Sequence, residues 1–253
     1  MSRIGMVVVT VCIVAVLAVG QERAAQVAHA SPLAHGLELV GLGDSIADAA
    51  NCMPCVSYVD LVGRSAVAKL GRAVNVKNLS RTTGLTSSGL LALVATDGRF
   101  RRSLAAADIV TISIGNNETC AGADTESCWD RAIPRVRRNV DATLSIIHSL
   151  RRGQPTAIRV TGLFNQAPGH PAAPKARGFQ AYFAQKIASM NEALCSAARS
   201  NGALCVDLVR SFNGSSGRRS PRRFLMPDYI HPNAAGQRRI ATAIVATGFE
   251  PVR

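Results

Sequence analysis

The stretch Val40-Gly41-Leu42-Gly43-Asp44-Ser45 decides how the rest of the chain is read. Glu38 to Leu42 is a short apolar run bounded by Gly36 and Gly43, the pattern of a buried strand, and Ile46 to Ala50 can begin a helical turn. Ser45 then stands at the C-terminal tip of a strand. In a parallel α/β sheet that edge is where ligands bind, and a helix start there aims free backbone N–H groups at whatever the serine touches. A hydroxyl so placed can serve as a nucleophile, with its own amide holding the negative oxygen that forms. The alternative is that Asp44 or Ser45 only caps the following helix. A base and further oxyanion donors elsewhere in the chain decide between the two.

A candidate base lies near the other end. Met226-Pro227-Asp228-Tyr229-Ile230-His231-Pro232-Asn233 precedes Ala234, Ala235, Ile240, Ala241, Ile244 and Val245, which have helical spacing. Pro232 fits the first helical position, where a missing N–H costs nothing. That puts His231 at the helix entrance, with Asp228 three residues earlier and free to turn back onto the imidazole. Such a carboxylate fixes the tautomer and stabilises the imidazolium while the ring takes a proton from a serine. A third segment, Ile112-Ser113-Ile114-Gly115-Asn116-Asn117-Glu118, ends the β-branched run Asp108 to Ile114. Gly115 and Asn117 therefore also fall at a strand's C-terminal end, where an amide can donate to an oxyanion; taken alone, a Gly-Asn-Asn turn explains them equally well.

Together these segments resemble the SGNH (GDSL) hydrolase family. Gly43-Asp44-Ser45 matches its first block, Gly115-Asn116-Asn117-Glu118 its Gly-x-Asn-Asp, and Asp228-Tyr229-Ile230-His231-Pro232-Asn233 its Asp-x-x-His-Pro. Asn78-Leu79-Ser80-Arg81-Thr82-Thr83-Gly84-Leu85-Thr86 looks like the second block. The matches keep the family's order from Gly43 to about Ile244. Two departures stand out: Glu118 replaces the usual Asp, a change expected to matter little, and Asn78 to Gly84 is one residue long. The resemblance implies a three-layer α/β/α sandwich on a five-stranded parallel flavodoxin-like sheet. It also implies a Ser45, His231, Asp228 triad, an oxyanion hole of the Ser45 and Gly84 N–H groups with the Asn117 side chain, no cofactor, and hydrolysis of small-molecule or lipid esters through an acyl-enzyme. An acyltransferase or thioesterase would use the same residues.

The pattern of elements agrees with that implication. Val56 to Leu70 carries apolar residues at three- and four-residue steps, Ala73 to Leu79 is a second strand, and Ser87 to Ala95 and Arg101 to Ala107 are short helices parted by the Asp97-Gly98 turn. Trp129 to Leu150 is a long helix whose regular part is expected to begin at Pro134. Ala157 to Gly162 is a fourth strand, Phe179 to Ala198 a helix, Leu204 to Leu208 a fifth strand and Pro232 to Thr247 the closing helix. Strands alternating with helices require long right-handed crossovers, hence a parallel sheet covered on both faces.

Ser2-Arg3 followed by the apolar run Ile4 to Val19 has the shape of a secretory signal, with Ala28-His29-Ala30 as its cleavage site before Ser31. The run is shorter than the roughly 20 residues a spanning helix needs, though an uncleaved anchor is the alternative. Residues 31–253 then form a single domain, expected to be secreted or envelope-associated and to act as a monomer. Six of the seven cysteines remain, an even number in an exported chain, which argues for disulfides. The local pairs Cys120 with Cys128 and Cys195 with Cys205 are favoured, leaving Cys52 with Cys55, although six cysteines admit many pairings. Cys52-Met53-Pro54-Cys55 is alternatively a redox pair or half a zinc site. No second such pair exists and the five histidines do not cluster, so no metal is expected.

The formal charge is +13, falling only to +12 when Arg3, Arg23 and Glu22 leave with the signal. Such a surplus attracts anionic partners in a salt-dependent way. Aromatics make up 4% of the chain and supply few stacking platforms, so nucleic acid is not an expected partner. Two loops on the catalytic side are expected to shape substrate choice: Phe164 to Arg177, stiffened by Pro168, Pro171 and Pro174, and Gly214 to Arg223, with Arg218, Arg219, Arg222 and Arg223. The basic loop either draws in acidic lipid headgroups or an anionic envelope polymer, or is a flexible solvated loop. A non-catalytic envelope-binding protein on a hydrolase scaffold is the remaining alternative, against which the intact nucleophile and base both argue.

Overall fold

Five short strands pair side by side in one parallel sheet, in the order β2-β1-β3-β4-β5. They are β1 (Leu37–Gly43), β2 (Val74–Asn78), β3 (Ile109–Ser113), β4 (Ala157–Thr161) and β5 (Leu204–Val206). The structure, a computed structural model, describes residues 36–82, 84–120 and 125–252; the expected signal, residues 1–30, lies outside them. Every residue of β3 and β4 is buried, as strands covered on both faces must be. Side chains alternate between the two faces. Leu39 and its register partner Ile109 join a cluster with Val59, Val62, Ile240 and Ile244, whereas Val40 and Val110 join one with Val136, Leu144 and Leu194.

Two groups of helices make those clusters. On one face α1 (Tyr58–Leu70) packs on α7 (Ala234–Val245), and α7 on α6 (Leu208–Asn213). On the other, α4 (Thr125–Arg151) packs against α2 (Ser87–Thr96), α3 (Gly98–Ala106) and α5 (Phe179–Ser200). The result is the three-layer α/β/α sandwich expected from the sequence. The three expected cysteine pairs form: Cys52–Cys55, Cys120–Cys128 and Cys195–Cys205. Among the described residues no helix is long and apolar enough to cross a membrane.

Four boundaries differ from the sequence reading, each for a local reason. Helix α4 runs straight through Pro134 instead of starting there. Proline removes one ladder bond, but the turns before and after it bury Trp129, Ala132 and Val136, and that burial outweighs the loss. Helix α3 starts at Gly98 because Asp97 caps it, accepting from the N–H groups of Arg99 (2.7 Å) and Phe100 (3.1 Å). Leu208 is the first residue of α6 rather than the end of β5, since Asp207 accepts from Arg210 N–H at 3.0 Å. Pro232 stands outside α7, whose cap is Asn233, accepting from Ala235 and Gly236 N–H.

One buried charge was not foreseen. Arg159, at the centre of β4, is 1% exposed. Its guanidinium donates to Thr247 Oγ1 (2.8 Å), Gly248 O (2.8 Å) and Glu250 O (3.3 Å), fastening the segment after α7. Arg159→Met keeps the apolar stem and leaves those acceptors without their donor. It is expected to lower the unfolding free energy by about 3 kcal/mol in urea titration, and an unchanged midpoint would show that the fastening carries no weight.

Candidate active site

Ser45 is presented just beyond the C-terminal end of β1, which pairs with β2 on one side and β3 on the other. Gly43, the last residue of β1, has φ of +145°, and a Cβ there would lie 2.1 Å from Ser113 O. Only glycine allows β1 to run that close to β3 as it turns off the sheet. Asp44 N–H then donates to Ser113 O at 3.1 Å, and Asp44 Oδ1 accepts from Ile46 N–H at 3.0 Å. Beyond Ser45 the chain makes a single turn, with Ala50 N–H donating to Ser45 O at 3.0 Å. It does not continue as a helix, because Ala49 and Asn51 both take positive φ.

Two amides clamp that turn from either side. Asn78, at the end of β2, donates to Ala47 O at 2.9 Å. Gln237, fully buried on α7, donates to Ile46 O at 3.1 Å and accepts from Tyr58 N–H at 2.8 Å, so one side chain joins the serine turn to α1 and α7. In the sequence Asn78 stood only as the start of the second block, and Gln237 was not marked. An amide four residues after the Asn233 cap, on the apolar face of α7, is the signal that could have found Gln237.

His231 arrives from the opposite end of the chain. Tyr229 has φ of +60°, and this left-handed residue curls the segment so that Asp228 Oδ1 accepts from Ile230 N–H (2.9 Å) and His231 N–H (3.0 Å). That leaves Asp228 Oδ2 facing the imidazole, 2.7 Å from Nδ1. The other ring nitrogen, Nε2, lies 3.0 Å from Ser45 Oγ. With the proton on Nδ1 toward the carboxylate, Nε2 has a free lone pair for the serine hydroxyl. Partial burial pushes Asp228 upward, but the hydrogen bonds from His231 and Ile230 N–H, from the imidazole and from Asn51 outweigh it and hold the carboxyl at about 2. Asp228 is therefore ionised throughout the neutral range. Asn51, which no sequence pattern marked, brings its amide within 3.1 Å of both Asp228 Oδ2 and His231 Nδ1.

The structure thus brings Ser45, His231 and Asp228 into one hydrogen-bonded line. Of the two remaining oxyanion candidates, Asn117 donates from Nδ2 to the carbonyl oxygen of Leu85, the residue after Gly84, at 2.9 Å. Gly84 takes φ of +53° and its N–H faces Thr82 O at 3.3 Å. Glu118, where the family pattern has Asp, is buried, and its carboxylate accepts from Ser87 N–H at the start of α2. It thus joins the segment after β3 to the helix that follows Gly84. A concavity of about 730 Å³ lined by Arg101, Ile146 and Arg151 lies by the opposite, N-terminal edge of the sheet and includes none of these residues. Among the described residues no cluster of His, Cys, Asp and Glu could hold a metal.

The chain belongs to the GDSL-like lipase/acylhydrolase family, whose sequence profile matches residues 42–239, and it is a carboxylic ester hydrolase. No curated protein matches it in sequence. Solved structures share the fold at low identity. A lipase from a goat rumen metagenome superposes with a TM-score of 0.73 at 18% identity, over 86% of this chain and 100% of that one. An extracellular lipase from Streptomyces rimosus gives 0.62 at 19%, over 84% and 99%. An acetyl xylan esterase from Geobacillus stearothermophilus gives 0.57 at 23%, over 86% and 97%.

Asp44, beside the serine, is the most perturbed carboxyl of the site. Complete burial raises it to about 7, against the opposing hydrogen bonds from Ile46 N–H and Asn116, with the nearby Glu118 charge adding to the rise. The folded protein therefore holds this proton where the unfolded chain has released it. The stability contributed is complete below the unfolded value near 3.8 and is lost as pH rises to about 7. Asp44→Asn keeps the shape without the titration. Its stability relative to wild type, from urea midpoints, is expected to be greater at pH 8 than at pH 5; an equal difference at both would contradict a neutral Asp44.

Proposed function

We propose that the protein is a secreted serine esterase that cleaves carboxylic esters through an acyl-enzyme, with Ser45 as nucleophile, His231 as general base and Asp228 as its orienting carboxylate. The observation that carries this reading is the continuous relay from Ser45 Oγ to Nε2 of His231 and from its Nδ1 to Asp228. Ser45 Oγ attacks the ester carbonyl while its proton passes to Nε2. The tetrahedral oxyanion is received by Ser45 N–H and Asn117 Nδ2, with Gly84 N–H joining by exchanging its long contact to Thr82 for the oxyanion. Collapse expels the alcohol, which takes the proton back from His231. Water then repeats the cycle on the acyl-enzyme.

Residues 31–253 form the hydrolase domain in this reading, and residues 1–30 are the export signal. Three disulfides in one small chain suit an oxidising compartment. The basic loop fits an anionic lipid or envelope surface. Arg222 stacks on Tyr229, next to Asp228, with 5.6 Å from guanidinium carbon to ring centre. Arg223 and Arg239 lie over the Phe224 ring at 4.5 and 4.6 Å, and with Arg219 they line a cavity of about 270 Å³. Among the described residues none of Arg219, Arg222, Arg223 and Arg239 has a carboxylate within ion-pair distance. Arg239 donates from Nε to Ser211 O, and with no carboxylate balancing the four charges the loop attracts an external anion. The loop does not leave a strand end directly, since α6 intervenes. Asn213, fully buried at the end of α6, instead ties it to the proline-rich loop, donating to Asn165 O and Arg219 O at 2.8 Å each.

Nitrophenyl esters of increasing acyl length, assayed beside acetylated sugars and phospholipids, test the reading. Ser45→Ala is expected to abolish turnover, His231→Ala nearly so, and Asn117→Ala to lower kcat roughly 100-fold or more. Full activity of a folded Ser45→Ala protein would overturn the assignment. Exchanging Arg218, Arg219, Arg222 and Arg223 for glutamine is expected to remove the salt dependence of turnover on anionic lipid vesicles while sparing soluble esters; an unaltered salt dependence would dispose of the surface-recruitment part.

A further inference from the structure

We propose that Asn51 is a positioning residue of the reaction: its side-chain amide holds Asp228 in the orientation that receives the imidazole Nδ1–H. The inference rests on the triad reading above and deepens it. Asp228 Oδ1 is occupied by two backbone N–H groups of its own turn, so Oδ2 is the oxygen left for the ring. Asn51 Nδ2 supplies the second donor to that same oxygen at 3.1 Å. The amide also lies 3.1 Å from Nδ1, but a protonated Nδ1 is itself a donor, so the carboxylate is the partner of Asn51. The carboxylate side chain is 31% exposed and stands on a turn with a left-handed apex. A second anchor from outside that turn restricts its swing toward solvent.

The anchor comes from the nucleophile's own loop. Asn51 follows Ser45 by six residues and reaches across 177 residues of sequence to Asp228. Base and nucleophile segments are therefore joined twice, by the Ser45–His231 contact and by Asn51–Asp228. The loop is prepared for the task. Asn51 has φ of +59°, a conformation asparagine tolerates better than most residues, and it is followed by Cys52, which is buried and disulfide-bonded to Cys55. An Asx side chain in such a turn commonly bonds its own backbone; this one is turned to the triad instead. The chemistry of an amide also fits. It donates without neutralising Asp228, whereas a lysine or arginine would weaken the carboxylate's hold on the imidazolium and an aspartate would repel it.

Asn51→Gly retains the left-handed backbone and removes only the amide, while Asn51→Asp keeps the size and replaces the donor with an anion. For a short nitrophenyl ester, kcat is expected to fall about tenfold in Asn51→Gly and at least as far in Asn51→Asp, with KM nearly unchanged. The low-field proton resonance of imidazole Nδ1–H is expected to shift or broaden in both. Wild-type kcat together with an unmoved resonance in either folded variant would overturn the proposal. Ser45→Ala run alongside separates the two claims: if it hydrolyses esters like wild type, the triad assignment fails, and the resonance in the Asn51 variants still decides whether Asn51 holds Asp228.

Discussion

A single close approach governs the architecture of the site: β1 must turn off the sheet while still in contact with β3, and only the absence of a side chain at Gly43 permits it. The following residues cannot extend the strand, so they turn directly over the sheet's C-terminal edge. Ser45 is thereby fixed by backbone geometry before any catalytic partner arrives. Asn78 from β2 and Gln237 from α7 then close on the turn, so the strand order that sets β1 between β2 and β3 also determines which elements can hold the Ser45 turn. Burial in the tight turn strips solvation from the carboxyl beside it and raises Asp44 to about 7.

The second half of the site is built differently. Asp228 and His231 sit on a short turn with little regular structure, organised by hydrogen bonds from backbone to carboxylate. Its orientation depends on being fastened at both ends: Met226 N–H donates to His231 O at 2.7 Å at its base, and Leu225 bridges Pro232. Rigid strand geometry sets Ser45, and a hydrogen-bonded turn sets His231. Enzymes need both to hold a reacting geometry within a fraction of an ångström.

Much of this was legible in the residues. The mostly apolar character of β1, β3 and β4, with amphipathic runs between them, pointed to a parallel sheet, and glycine and serine at the end of β1 pointed to where chemistry could occur. The relay was legible because its members lie in short patterned segments. Asn51 and Arg159 were not, since each acts through a contact distant in sequence, 177 and about 90 residues away, and nothing in their neighbourhoods marks such a reach. Pro134 misled for the opposite reason. A local rule predicted a helix start, but the apolar surface buried on both sides of the proline outweighs one missing bond. Gly84 lies between: the sequence marked it within the second block, while the partner of its amide, Thr82 O, follows only from the fold.

The claim on which the account turns is that one alcohol among many is activated by an imidazole brought from the far end of the chain. Treating the folded protein with a fluorophosphonate and mapping the adduct by mass spectrometry tests it most directly. The account predicts a single adduct, on Ser45, formed far more slowly in His231→Ala. No adduct, an adduct on another residue, or equal labelling without the imidazole would contradict it.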